Sequence, residues 1–309
     1  MRWSLPLVLA LALVPLSAAA TARDRTVAGP ISSVSIAGTE LAYVDEFKAG
    51  CHEIRLWDVA SHRDRRLTRR CFVETSTGSG ISGVIATGGR ALWIAFTGGN
   101  TRERTLVTRA GAANARRIAF LATDVDDPSP IVLGRAWEGS LPYAIGSKIV
   151  VLAPNGSRRF ALTAADRVVS LSAHSRGYAA VLANGTVLTI SLPGTLVRER
   201  EFEPGLVEDA VLAAPGLIVK TRRGLVIHNG DSIRQISLPR GSRFLGYSEG
   251  IVAYGKGREI RLKRLSNGHD TLFRTLAPEF EAQLGRRGIV YSSGRTLGFT
   301  APGIVSAEV

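Results

Sequence analysis

The stretch Ile36–Thr68, IAGTELAYVDEFKAGCHEIRLWDVASHRDRRLT, decides how the rest of the chain is read. Gly38 opens an apolar run, LAYV from Leu41. A polar segment follows, EIRLWDV from Glu53 alternates apolar and polar residues, and Arg65, Arg66 and Leu67 begin another run. Alternation at period two, punctuated by Gly and polar residues, marks three successive strands.

The Gly-led strand recurs at Gly89 (GRALWIAF), Gly139, Gly177 (GYAAVLAN), Gly216, Gly250 and Gly288, which with Gly38 makes seven units. Before each lies a candidate innermost strand, from ISSVSIA at Ile31 and IVLGRAW at Ile131 to FEAQLGR at Phe280. Third and fourth strands follow, such as KIVVLA from Lys148 and RRFALT from Arg158. Asn155-Gly156, Asn229-Gly230 and Asn267-Gly268 fall between third and fourth strands, and Asn184-Gly185 between second and third. Asn-Gly suits the primed turns whose twist matches paired strands. A four-strand unit returning every 35 to 50 residues or about that, with no long helical period, predicts an all-β chain folded as a β-propeller of seven four-stranded blades. Six or eight blades are also compatible with this spacing. The chain reads as starting on a first strand and ending on a fourth, GIVSAEV from Gly303, so strand exchange is not expected to close the ring unless Arg25 to Ala28 pairs with the last blade.

The opening unit resembles the TolB-like propeller repeat, a relative of the WD repeat. The likeness rests on GTELAYV from Gly38, on Trp57-Asp58 ending the next strand, and on Leu67-Thr68; Glu259 to Leu262 repeats the EIRL of Glu53 to Leu56. The family's Pro-Asp-Gly turn stands here as Ala-Gly-Thr, and the later blades keep the period without the motif. The resemblance implies a periplasmic or extracellular propeller used as a binding scaffold, and it implies no activity, because function lives in a site and not in a fold.

The leader agrees with export. Arg2 precedes an apolar run from Leu5 to Leu16, and Ser17 to Ala20 supply small residues, the layout of a secretory signal peptide over residues 1–22. The mature chain is expected to begin near Thr21 or Arg23 and to form one domain over residues 23–309. No later segment has the length and apolarity of a membrane helix. The net charge is +13, and all but five of the 39 basic residues are arginine. This reads as a solvated basic surface or as attraction to an anionic envelope polymer or lipid. Nucleic acid is not expected as a partner, because export is predicted and no aromatics interleave the basic residues. The partner is expected to be a protein or an envelope polymer, met by a monomer, and no cofactor motif is present.

In a propeller, connections between second and third strands share one face with those between blades. The long connections are read as Asp45 to His52, Arg70 to Gly80, Thr97 to Glu103 and Ala122 to Pro130, all on that face. They make Asp45, Glu46, Lys48, His52, Asn100, Arg102, Asp124, Asp126 and Asp127 the candidate binding-face loop residues. The two cysteines, Cys51 and Cys71, are expected to form a disulfide near this face. Trp137 and His174 are candidates to line the central channel.

Other motifs read as structural. Gly246-Tyr247-Ser248-Glu249-Gly250 matches a nucleophile elbow but spans a turn between strands, where that elbow needs a helix. The carboxylates of Asp124, Asp126 and Asp127 could hold calcium, but the Gly and distal Glu of a calcium loop are missing. Paired arginines such as Arg116-Arg117 and Arg158-Arg159 fall on outermost strands, where charge discourages edge pairing. The function expected is a non-catalytic interaction or ligand-binding scaffold of the cell envelope. The alternatives are an enzyme acting on envelope glycans through Glu138, Asp209 and Glu249, and adhesion to anionic polymers through a basic rim.

Overall fold

A strand covered on both faces needs apolar side chains at consecutive positions. The Gly-led strands have them: Leu41 to Asp45 are buried without a break, as are all six residues of Gly177–Leu182. The computed structural model describes residues 22–301 and shows what encloses them. Seven four-stranded antiparallel sheets form a seven-bladed β-propeller. Blades 1 to 6 span 31–71, 79–124, 131–163, 168–200, 207–237 and 243–275. Blade 7 joins three strands within 280–300 to the strand Ala22–Thr26, and no helix occurs among the described residues.

The core is divided into seven apolar wedges, one between each pair of neighbouring blades. Ile54 and Leu56 of blade 1 meet Val84 and Trp93 of blade 2, while Leu41, Tyr43 and Trp57 meet Val290, Leu297 and Phe299 of blade 7. No blade can therefore bury its own faces, and stability depends on a closed ring. The fourth strands face solvent and carry charge, as in Leu196–Arg200 and in Arg158 and Arg159. The four Asn-Gly turns lie where the sequence places them; at Asn155-Gly156 the side-chain Oδ1 accepts the Ser157 N–H at 2.9 Å and Gly156 takes φ 87°.

Ring closure differs from the simpler expectation. Ala22–Thr26 pairs antiparallel with Thr296–Thr300, from Ala22 opposite Thr300 to Thr26 opposite Thr296. The N-terminal strand is thus the fourth strand of blade 7, and the ring is closed by strand exchange. GIVSAEV, expected to fill that place, lies outside the described residues, as does all but Ala22 of the expected signal peptide, residues 1–22. A strand drawn from the opposite terminus resists fraying because both chain ends must detach together.

Two irregularities shape the axis. Five innermost strands carry a register shift at one equivalent place, between Ile31 and Ser33, Ile81 and Gly83, Val168 and Ser170, Val207 and Asp209, and Phe244 and Gly246. Bulges of this kind bend a strand and increase its twist. Blade 3 has no such bulge. Its innermost strand spans only Ile131–Leu133; the Gly134 N–H still donates to Pro142 O at 2.9 Å and Trp137 pairs with Ser140, but Arg135 between them leaves the blade. The Arg135 N–H donates to Leu171 O, and the Ala173 N–H donates to Arg135 O, so Arg135 pairs with blade 4 in parallel. A Cβ on Gly134 would lie 2.9 Å from side chains of Leu171 and Pro142, which is why glycine permits the departure.

Candidate functional site

On the face that carries the inter-blade connections, blades 1 and 2 stand taller than blades 4 and 5. The second strand of blade 1 runs past Asp45, which pairs with Ile31 at the bulge, by Glu46, Phe47 and Lys48. That of blade 2 runs past Ala95 by Phe96 and Thr97, whereas the equivalents in blades 4 and 5 stop at Leu182 and Thr221. Three extra strand residues raise an edge by about 10 Å. The segments read as long loops at Asp45 to His52 and Thr97 to Glu103 are therefore extended hairpins, with Lys48 opposite Cys51 and Thr97 opposite Glu103. Asp45, Glu46, Lys48, His52, Arg102 and Asp124 are strand residues, not loop residues. The irregular connections that remain long are 72–78 and 125–130.

The hairpins and the 72–78 connection are stitched into one wall. Cys51 and Cys71 face each other across neighbouring strands of blade 1 and form a disulfide. The Phe72 N–H donates to Gly50 O at 2.8 Å, and the Gly98 N–H donates to Gly78 O at 2.8 Å. Thr77 Oγ1 accepts the Gly99 N–H at 2.7 Å, and Arg102 donates to Thr77 O at 3.0 Å. The His52 ring packs edge-on to Phe72 with centroids 5.5 Å apart, and burial lowers its pKa. Asp45 is buried, accepts the Gly29 N–H at 2.7 Å, and has its pKa raised by that burial. Glu46 accepts the Gly50 N–H at 3.0 Å and so pins the turn. These three residues brace the wall from within. Its exposed surface carries Lys48, Val73, Asn100, Glu103, Asp124, Asp126 and Asp127, with Val73 82% exposed.

Trp137 and His174 meet on the axis near the opposite face. Their ring centroids are 4.0 Å apart, and His174 lies 5.7 Å from the Tyr247 ring of blade 6. Burial pushes the His174 pKa down to about 4, with a backbone hydrogen bond at Tyr247 opposing it. Deeper in, Arg135 pairs with Asp209 of blade 5 at 2.5 Å, donates to Phe244 O of blade 6 at 3.0 Å and stacks over the Phe244 ring. Ser170 of blade 4 donates to the same Asp209 at 2.8 Å. One arginine thus ties blades 3, 5 and 6 across the axis. Nothing in the local sequence marks Arg135 as the residue that crosses the axis, because its backbone partners Leu171 and Ala173 belong to blade 4.

The carboxylates considered for glycan hydrolysis are engaged in different places. Glu138 pairs with Arg286 at 3.4 Å, Asp209 with Arg135, and Glu249 sits at φ 47° in the turn after Ser248. Hydrolysis of a glycosidic bond needs two carboxyl groups flanking one substrate atom. Gly246 to Gly250 is the strand-to-strand turn of blade 6. No group of three or more His, Cys, Asp or Glu side chains placed to hold a metal occurs among the described residues.

The same face is recessed beyond the wall. A cavity of about 900 Å³ lies among blades 6, 7 and 1, lined by residues including Ile31, Arg243, Glu279, Phe280 and Glu281. A second, of about 600 Å³, lies between blades 5 and 6 and shares Gly241 with it. Its walls are Glu208, Arg222, Arg223, Leu238 and Arg240, residues far apart in sequence that reading along the chain does not gather.

No protein-family model and no curated protein sequence matches this chain. Solved structures do, at low identity. Chaetomium thermophilum Raptor is similar over 90% of this chain and 28% of its own, at 13% identity and TM-score 0.53. Saccharomyces cerevisiae Sqt1 is similar over 91% of this chain and 98% of its own, at 11% identity and TM-score 0.52. The computationally designed Ika8 protein is similar over 89% and 97%, at 11% identity and TM-score 0.50. The chain thus spans less than a third of Raptor, and at such identities the likeness is one of fold.

Proposed function

We propose that this propeller is a non-catalytic interaction scaffold of an exported protein, and that a protein partner docks on the wall of blades 1 and 2. The observation that carries this reading is the wall itself. Blade 1 extends beyond the bulge register, is locked by a disulfide and is backed by the stitched 72–78 connection, none of which closing the ring requires. A rigid raised edge with one exposed apolar side chain, Val73, among polar neighbours has the makings of an interface, with an anchor inside a polar rim. The disulfide supports an oxidising compartment, which agrees with export to the cell envelope. No helix among the described residues is long and apolar enough to cross a membrane.

A photo-crosslinking residue placed at Val73 or at Asn100 tests this in cells. One protein should be captured from both positions and not from Glu249 or Arg286 on the opposite face. Capture from the opposite face alone, or from no position on the wall, would overturn the reading.

A further inference from the structure

We propose that the cavity between blades 5 and 6 is a binding site for a phosphate group, either the free ion or a phosphate monoester on a small molecule. Three guanidinium groups line one space of about 600 Å³: Arg222 and Arg223 from the hairpin turn of blade 5, and Arg240 from the connection into blade 6. The one acidic residue among its walls, Glu208, is engaged by Lys220, whose Nζ lies 2.9 Å from Glu208 Oε2 and which is only 2% exposed. None of the three arginine side chains has a carboxylate, carbonyl or ring partner among the described residues. Three positive charges therefore share the cavity without compensation, although elsewhere arginines of this chain are repeatedly neutralised, as at Glu53 and Asp64.

Hydrogen bonds fix the backbone of the two turns from which these side chains extend. The Arg222 N–H donates to Leu206 O at 3.0 Å, and the Arg223 N–H donates to Thr221 Oγ1 at 3.3 Å. Lys256 donates its ammonium to the carbonyl oxygen of Arg240, and the Ser242 N–H closes the same turn on Pro239 O at 3.1 Å. The backbone of both turns is thus set before a ligand arrives, which leaves only the exposed guanidinium arms to be ordered on binding.

The ligand chemistry follows from geometry and charge. A carboxylate offers two oxygens and one charge, which a single guanidinium fork satisfies. A phosphate group carries close to two charges and three or more acceptor oxygens, so it can accept from guanidinium groups of both turns at once. The recess has the size of small-molecule sites, so a monoester would leave its body against Leu238 and toward Gly241, where the larger cavity begins. The site is on other blades than the wall, so it does not depend on the scaffold reading.

The test titrates the full chain with inorganic phosphate, and separately with glycerol 3-phosphate and with acetate, at matched low ionic strength. Phosphate should saturate, acetate should bind at least about tenfold more weakly, and Arg222→Gln with Arg223→Gln, or Arg240→Gln alone, should each weaken phosphate about tenfold. Exchanging two solvent-facing arginines of blade 3, Arg158→Gln with Arg159→Gln, should leave affinity within about twofold, since exposed charge acts weakly at a distance. Tighter binding of glycerol 3-phosphate assigns the site to a monoester, and equal binding assigns it to the free ion. Unsaturable phosphate binding, acetate as tight as phosphate, or an equal loss in the blade 3 variant would overturn the proposal.

Discussion

The hydroxyl of Tyr291, in the second strand of blade 7, donates to Asp24 on the N-terminal strand at 2.5 Å. The same relationship recurs inside blades 1 and 6, where Tyr43 donates to Asp64 at 3.0 Å and Tyr254 to Asp270 at 2.6 Å. In those two blades an arginine of the third strand, Arg55 or Arg261, bonds the same aspartate and a glutamate, Glu53 or Glu259. Blade 7 has Gly298 opposite its tyrosine, and the guanidinium comes instead from Arg274 of blade 6, 2.7 Å from Asp24. On the other side Arg25 reaches Asp64 of blade 1 at 2.6 Å. The closing strand is thus clamped to both neighbouring blades as well as to its own.

Removing that clamp should loosen the ring. Asp24→Ala leaves the Tyr291 hydroxyl and Arg274 without their shared acceptor, and because Asp24 is partly exposed the expected loss is about 1–2 kcal/mol. Urea unfolding measures it. Deleting residues 1–26 exposes Thr296–Thr300 as an open edge, and light scattering should then show association that the full chain lacks.

Gly298 is where the closing strand tolerates no side chain. A Cβ there would lie 2.1 Å from Cζ of Tyr291, so Gly298→Ala must displace the ring that holds Asp24. The expected cost is about 3 kcal/mol by thermal or urea unfolding, from overpacking together with a lost hydrogen bond. Gly111→Ala, where nothing lies within 4 Å but φ is +50°, should cost only about 1 kcal/mol. Similar losses at the two positions would contradict the role given to Tyr291.

The disulfide of blade 1 closes a segment of twenty residues in sequence separation. In the chain-entropy model this stabilises by about 3 kcal/mol, so replacing both cysteines with serine should lower the urea midpoint by that equivalent. Reductant should shift the parent similarly and leave the double variant unchanged. A midpoint indifferent to reductant would show that the bridge does not hold the wall.

His174 makes stability depend on pH. Burial depresses its folded pKa from 6.5 to about 4, so the unfolded chain binds the proton more readily. Its contribution is complete above about pH 6.5, is lost progressively as pH falls toward 4, and changes no further below that, for a total of about 3 kcal/mol. His174→Phe keeps an aromatic ring against Trp137 but cannot titrate. Stability measured from pH 4 to 7 should slope less in the variant than in the parent; parallel curves would refute the assignment.

How much was legible from the chain depends on how far each partner lies along it. The Asn155-Gly156 turn is written locally, since Asn155 satisfies Ser157 two residues on, and so is the Cys51–Cys71 pair, which two adjacent hairpin strands bring together. The height of the wall was less legible. Polar residues such as Glu46 and Lys48 look like loop, and only the register with Cys51 makes them strand. The axial contacts of Arg135 were not legible at all, because Asp209 and Phe244 come from blades two and three units further on.

Hydrophobic period and neighbours within one hairpin or blade point to the all-β class, to seven units as the first reading of the count, to the turns and to the disulfide. Three features exist only in the folded ring: that Ala22–Thr26 closes it, that Arg135 crosses to blade 4, and that Arg222, Arg223 and Arg240 share one recess. The physical reason is common to all three. In a circular array each wedge of core is built from two blades, so the last contacts are made between residues whose proximity exists only once the ring has closed.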